Sequence, residues 1–180
     1  MGRIKTENGT ASHALTPPEK LTESHAVEAF ESGEESLDAW LKQQALANEK
    51  ADASRTYVVC AERRVVGYYC LSTGSVIRTD APGQVRRNMP DPIPVMILGR
   101  LAIDRAWQRR GIGRALLRDA VLRTLRVSYM VGVKALLVYA ISEPAKLFYQ
   151  QAGFRSSPTD PLTLFLSIRD AKQIFRDMTK

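Results

Sequence analysis

Residues 94–117, PVMILGRLAIDRAWQRRGIGRALL, constrain the fold more than any other stretch of the chain. The mostly apolar run 94–103 reads as a strand covered on both sides. It leads through the turn Gln108-Arg109-Arg110-Gly111-Ile112-Gly113 into a helix. Ile112, Leu116, Ala120 and Leu125 give that helix one apolar stripe, and Arg114, Arg118 and Arg126 belong to its other faces. Two glycines in the turn leave no Cβ between the backbone and an approaching ligand. The first amides of the helix have no intrahelical acceptor and lie at the positive end of its dipole, a site for an anion such as a pyrophosphate. Arg109, Arg110 and Arg114 add charge around it.

Residue detail excludes or weakens three other readings of this unit. A Walker A loop needs Lys and then Ser or Thr after its second glycine, where this chain has Arg114-Ala115. A dinucleotide fingerprint needs a small third residue where Leu116 stands, and an acidic ribose partner about 20 residues on. A helix-turn-helix needs a helix before the turn, and here a strand precedes it.

The charge balance agrees with an anionic ligand. The net charge is +7 over 180 residues, yet residues 1–90 hold 11 basic and 12 acidic side chains while residues 91–180 hold 15 and 7. Eight arginines lie between Arg100 and Arg126 against Asp104 and Asp119. Such a field favours phosphate-bearing partners, either a nucleotide cofactor or a nucleic acid. No apolar run approaches the roughly 18 to 20 residues that span a membrane, and the polar start MGRIKTENGTASH lacks a signal-peptide core. Two cysteines are too few for a disulfide scaffold and two histidines too few for a structural zinc site, so no metal is expected. A cytoplasmic protein of one ordinary domain fits these counts.

Along the chain, residues 1–18 are expected to form a flexible leader. The acidic stretch Glu19–Asp38 reads as a solvated face before a helix capped by Ser36, with Leu37, Trp40, Leu41 and Ala45 on one side, running to about Asn48. Residues 56–61 and 65–71 read as a β-hairpin around Glu62-Arg63-Arg64, with Cys60 and Cys70 as small core hydrophobes. Residues 78–94, with four prolines, form a long loop. VKALLVYA (133–140) is a further buried strand. Ser142 caps a short helix through Gln151, closed by Gly153. TLFLSI (163–168) precedes a terminal helix from about Asp170. The pattern is α+β with a mixed sheet.

In this order of elements, Gln108-x-x-Gly111-x-Gly113 after Leu101-Ala102-Ile103-Asp104 resembles the acyl-CoA pyrophosphate loop of GNAT N-acetyltransferases. The segment Ala145-Lys146-Leu147-Phe148-Tyr149 with Gly153-Phe154 agrees with it. The resemblance implies the GNAT fold over 19–180, a central, mostly antiparallel mixed sheet flanked by helices. FESGEESLDAWL (30–41), YVVCAERRVVGYYCLSTGSV, PIPVMILGRLAIDRAWQRRGIG and LFYQQAGF look more narrowly like the GNAT toxins of bacterial type II toxin–antitoxin pairs. What that implies is transfer of acetyl from acetyl-CoA, the donor substrate, to the α-amino group of aminoacyl-tRNA, which stops translation. It also implies a homodimer and a ribbon-helix-helix antitoxin. The alternative is a GNAT enzyme that acts on a small amine or a protein N-terminus.

The resemblance assigns Tyr149 as the acid that protonates the departing thiolate. The competing reading is a core aromatic whose hydroxyl bonds the backbone. It also assigns Leu101, Ala102, Ile103, Gln108, Arg109, Arg110, Gly111, Ile112, Gly113 and Arg114 to acetyl-CoA. Leu101 and Ile103 would act through their backbones, pairing with the pantetheine arm like an added strand. Tyr139 reads as packing. No glutamate base is evident near the site. That mildly favours an α-amine acceptor, which is about a tenth neutral at neutral pH where lysine is well under a thousandth neutral. Arg86, Arg87 and Arg100 are expected to bind the substrate, and Arg118, Arg123 and Arg126 exceed what a cofactor needs and fit an RNA.

Overall fold

In the computed structural model, residues 14–177 are described. Thirteen elements follow in order: β1 (Glu19–Lys20), α1 (Glu35–Gln43), α2 (Ala45–Lys50), β2 (Arg55–Ala61), β3 (Arg64–Val76), α3 (Gly83–Arg86), β4 (Ile93–Ile103), α4 (Ile112–Ser128), β5 (Ala135–Tyr139), α5 (Glu143–Gln151), β6 (Arg155–Ser156), β7 (Thr163–Ser167) and α6 (Ile168–Asp177). The strands form one sheet in the order β1-β2-β3-β4-β5-β7-β6. Every pairing is antiparallel except that of β4 with β5. This is the mixed, mostly antiparallel α+β sheet of the GNAT fold that the sequence leads one to expect.

Strand alternation sorts side chains onto two faces. Tyr57, Val59, Val66, Tyr69, Leu98 and Leu136 pack under α4, whose Ile112, Leu116, Ala120 and Leu125 are all buried as its stripe predicts. Val58, Cys60, Val65, Tyr68 and Cys70 pack on the other face under α1 and α2. Both cysteines are free and buried in that layer, and burial pushes the Cys60 thiol up to about 11.

Three expectations need correction. Of the flexible leader expected over 1–18, residues 1–13 lie outside the described residues. Residues 14–18 are held on the sheet: Leu15 bridges Ala61, the Thr16 amide donates to the Cys60 carbonyl at 2.9 Å, and the Cys60 amide donates back to Thr16 Oγ1 at 2.9 Å. The outer edge of β2 supplies unpaired backbone groups, and this segment satisfies them. Ser36 lies inside α1 and does not cap it; the cap position is Glu34. Asp38 instead reaches back, accepting from the Ser32 amide and from Ser32 Oγ at 2.6 Å. The single helix expected to Asn48 breaks at Gln44 into α1 and α2.

Two features of β4 open a gap in the sheet. Its partner residues on β3 skip from Arg100–Cys70 to Leu98–Leu71, so Gly99 is the extra residue of a bulge. Its pairing with β5 ends at Leu98–Val138, while β4 runs on to Ile103. Beyond the bulge the two parallel strands part, and one edge of β4 is left open.

Candidate active site

The gap between β4 and β5 is a cleft of about 490 Å³. Its floor is Leu98–Ile103, its far wall comes from Val138, Tyr139, Ala145, Phe148 and Tyr149, and its rim includes Ser32, Glu34 and Leu37. A second hollow of about 440 Å³ lies over the turn, lined by Gln108, Arg109, Gly111, Ile112, Gly113, Arg114 and Phe148. Ile103, Gln108, Gly113 and Phe148 border both, so the two form one channel from the turn into the sheet.

The turn is built for an anion. Arg109 (φ 60°) and Gly111 (φ 80°) both take left-handed backbone conformations. The first α4 amide to bond back is that of Ala115, to Gly111; those of Ile112, Gly113 and Arg114 donate to no acceptor among the described residues. Arg109, Arg110 and Arg114 have no carboxylate partner there either, and Arg110 stacks on the Trp107 ring at 4.8 Å. Free amides at a helix start with three free guanidiniums fit a pyrophosphate.

Buried carboxylate chemistry fixes the turn in place. Asp104, 2% exposed, accepts from the amides of Ala106 (3.0 Å) and Glu31 (3.1 Å) and from the Arg64 guanidinium (3.2 Å). The Gln108 side-chain amide donates to the carbonyls of Ser32 (2.8 Å) and Ile103 (2.9 Å). Gln108 therefore borders the channel with its amide already engaged, and it braces the turn to the segment before α1.

Tyr149 is 7% exposed, packed edge-on to Phe148 at 5.1 Å and tilted against Phe154 at 5.5 Å. Its hydroxyl has no hydrogen-bond partner among the described residues, so the backbone-satisfied alternative lacks its bond. Burial pushes the phenol well above its ordinary range, which keeps it protonated at neutral pH. Tyr139 departs from the packing role expected of it: it is 57% exposed on the cleft wall.

The arginines expected at the substrate divide. Arg100 lines the cleft, its guanidinium 4.4 Å from the Trp40 ring centroid, and Trp40 in turn stacks on Tyr68 at 5.9 Å. Arg86 and Arg87 are not brought to it. They are exposed at the end of α3, ahead of β4, and Ile93 at the start of that strand is about 20 Å from Gly99 at 3.3 Å per residue. Arg123 is occupied: it pairs with Asp119 at 2.8 Å and lies 3.8 Å over Tyr57, so it is not free for RNA. Arg118 rests on Phe175.

Sequence reasoning missed Glu34, an exposed carboxylate on the cleft rim, because it lies about 60 positions before the motif strand and long-range braces from Asp104, Arg105 and Gln108 bring it there. One cluster could suggest a metal, Glu19, His25 and Cys60, with ligand atoms within 4.8 Å of one another. The Thr22 amide donates to His25 Nδ1 at 2.9 Å, so the ring proton sits on Nε2, facing Glu19 at 3.2 Å. That tautomer offers no lone pair to an ion.

The family model described as the acetyltransferase (GNAT) domain matches residues 52–156. A Mycobacterium tuberculosis protein named tRNA-acetylating toxin is 48% identical over 160 residues, covering 89% of this chain and 96% of that one. Among solved structures, AtaT complexed with acetyl-methionyl-tRNAfMet superposes with a TM-score of 0.83 at 30% identity, over 90% of this chain and 99% of that one. A Tyr-to-Phe mutant of the AtaT toxin, bound to the C-terminus of the antitoxin AtaR and to acetyl-CoA, gives 0.77 at 30% identity, over 91% and 99%.

Proposed function

The chain belongs to the GNAT acetyltransferase family, and from that premise we propose that it is a toxin that moves acetyl from acetyl-CoA to the α-amino group of aminoacyl-tRNA, so blocking translation. The observation that carries the reading is the channel itself. A helix start with free amides and three unpaired arginines opens into a cleft floored by an unpaired strand edge and closed by a protonated tyrosine. The relative named tRNA-acetylating toxin and the AtaT complex with an acetylated methionyl-tRNA support the acceptor.

The amides of Ile112, Gly113 and Arg114, with the side chains of Arg109, Arg110 and Arg114, hold the donor's pyrophosphate. The open backbone edge at Leu101, Ala102 and Ile103 aligns the pantetheine arm as an added strand would. Gln108 and Gly111 set the shape of the turn. The neutral α-amine attacks the thioester carbonyl carbon and loses a proton to water; the carbon–sulfur bond breaks, the thiolate takes the proton of Tyr149, and the phenolate regains a proton from the water that accepted the amine's. Arg100, steadied by Trp40, faces the acceptor's terminal phosphate. An α-amine titrates near 7.7–8.0, so enough is neutral at pH 7 for the cleft to work without a strong base.

The proposal includes action in the cytoplasm, where charged tRNA is found, and assembly as a homodimer. It also includes neutralisation by a ribbon-helix-helix antitoxin, in line with the antitoxin-bound AtaT. Light scattering of the purified chain tests the dimer: the mass of two chains supports it and the mass of one removes it. For the reaction, labelled acetyl-CoA is supplied with charged tRNA, a polyamine and an N-terminal peptide together. Label in the tRNA fraction is the expected result, and label only in the peptide or polyamine would replace the toxin reading by the small-amine or protein N-terminus alternative.

A further inference from the structure

The surplus positive charge of the second half has a second address, remote from the donor turn. A groove of about 1130 Å³ runs between the segment before β4 and helix α6. Arg87, Lys134, Arg169, Lys172 and Arg176 border it, against a single carboxylate, Asp170. Arg87 and Arg169 are exposed, Lys134 is half-buried, and none of the three has a carboxylate partner among the described residues. Lys172 places its ammonium 4.8 Å over the ring of Tyr129, which is 75% exposed. Several cations elsewhere are committed internally, Arg64 to Asp104, Arg105 to Glu31, Arg123 to Asp119 and Lys146 to Glu143, while Arg109, Arg110 and Arg114 belong to the donor turn. The fold thus gathers Arg87, Lys134 and Arg169 in one groove with no carboxylate partner among the described residues, an arrangement that suits an anionic partner.

Geometry excludes the donor as that partner. The groove lies beside the start of β4, and the anion-binding turn follows its other end, ten residues and about 33 Å of strand away. The cleft at Gly99 lies between them. A polyanion whose reactive end occupies the cleft and whose backbone continues past the start of β4 would meet the groove. Resting on the function proposed above, we propose that this groove is the docking surface for the phosphate backbone of the tRNA whose aminoacyl end enters the cleft. Arg87, Lys134, Arg169 and Lys172 make the contacts. Arg87 thereby binds substrate, though not at the cleft where sequence reading grouped it with Arg100.

The test is the double substitution Arg169→Glu/Lys172→Glu in the full chain, with Arg169→Ala/Lys172→Ala as a milder pair if the first lowers the melting temperature. KM for charged tRNA is expected to rise at least tenfold, with kcat at saturation and KM for acetyl-CoA unchanged. Turnover of a stemless acceptor, an aminoacyl ester of the terminal trinucleotide, is expected to stay at the parent level. Because each lost phosphate contact lowers the salt slope of binding by about one, the slope for uncharged tRNA measured by fluorescence polarisation should fall by about two. Parent-like KM and salt slope in a folded variant would overturn the proposal, as would an equal loss on the stemless acceptor or a loss confined to binding of an acidic antitoxin peptide. Should the parent chain acetylate no charged tRNA, the proposed reaction fails, while the polarisation measurement still decides the groove.

Discussion

Tyr149 is buried among aromatic rings, while its hydroxyl, without a hydrogen-bond partner among the described residues, opens to the cleft where a ligand can reach it. Its raised ionisation keeps the proton on the phenol at neutral pH, where it can hydrogen-bond and protonate the sulfur as the carbon–sulfur bond breaks. Tyr149→Phe removes only the hydroxyl and leaves the packing on Phe148 and Phe154. We expect kcat to fall by about 10²–10⁴ with both KM values within a few-fold and an unchanged melting temperature, measured by steady-state kinetics and calorimetry. The rate should climb with pH as the acceptor amine deprotonates near 7.7–8.0 and show no alkaline-limb loss by pH 9, because the phenol is still protonated there. A decline beginning near pH 8 would mean another group supplies the proton. The Phe148-Tyr149 pair was legible in the sequence through the family resemblance. What the sequence did not show was that Tyr139, ten residues earlier, also faces the cleft, since β5 ends where β4 has already turned away.

At the level of elements, the strand–turn–helix unit was readable because its cause is local: an apolar run, two glycines and an amphipathic helix specify it within 24 residues. Its braces were not readable, because they are long-range. Asp104 and Gln108 hold the segment Glu31–Ser32, more than 70 positions away, and that contact brings α1 over the cleft. Asp104→Ala removes three hydrogen bonds at one buried carboxylate and should cost about 2–3 kcal/mol in urea unfolding, together with weaker acetyl-CoA binding by calorimetry. Gly113→Ala separates the two effects. A methyl there meets Phe148 at 3.8 Å, an ordinary contact, so the fold is expected to keep its stability while acetyl-CoA affinity falls at least tenfold as the channel narrows. The bulge at Gly99 was equally invisible in sequence, since it is a mismatch of register between β3 and β4.

For the whole molecule, the charge asymmetry counted along the chain becomes a division of labour: one set of arginines at the donor turn, another set of cations at the far groove, and Arg64, Arg105 and Arg123 spent on ion pairs. Sequence counts could not make that division, because a pair such as Arg64–Asp104 depends on contact across the fold. Global stability has its own signature. Burial raises the ionisation of the Cys60 and Cys70 thiols and of the Tyr68, Tyr69 and Tyr149 phenols, so the folded chain holds protons that the unfolded chain releases. Stability from these groups is complete below the unfolded thiol value of about 8.5 and declines above it, more steeply past about 10 where unfolded tyrosines ionise. Melting temperature against pH should be flat for these groups from pH 7 to 8 and fall thereafter, and Cys60→Ala should reduce the early part of that fall. The proposed function turns on the acceptor, and mass spectrometry reads the acceptor directly. Charged tRNA is incubated with the protein and acetyl-CoA, digested to its 3′-terminal nucleoside and weighed. The expected product is an aminoacyl-adenosine heavier by one acetyl group, formed by the parent protein and not by Tyr149→Phe; an unmodified aminoacyl-adenosine, from protein that binds acetyl-CoA and acetylates another amine, would contradict the toxin reading.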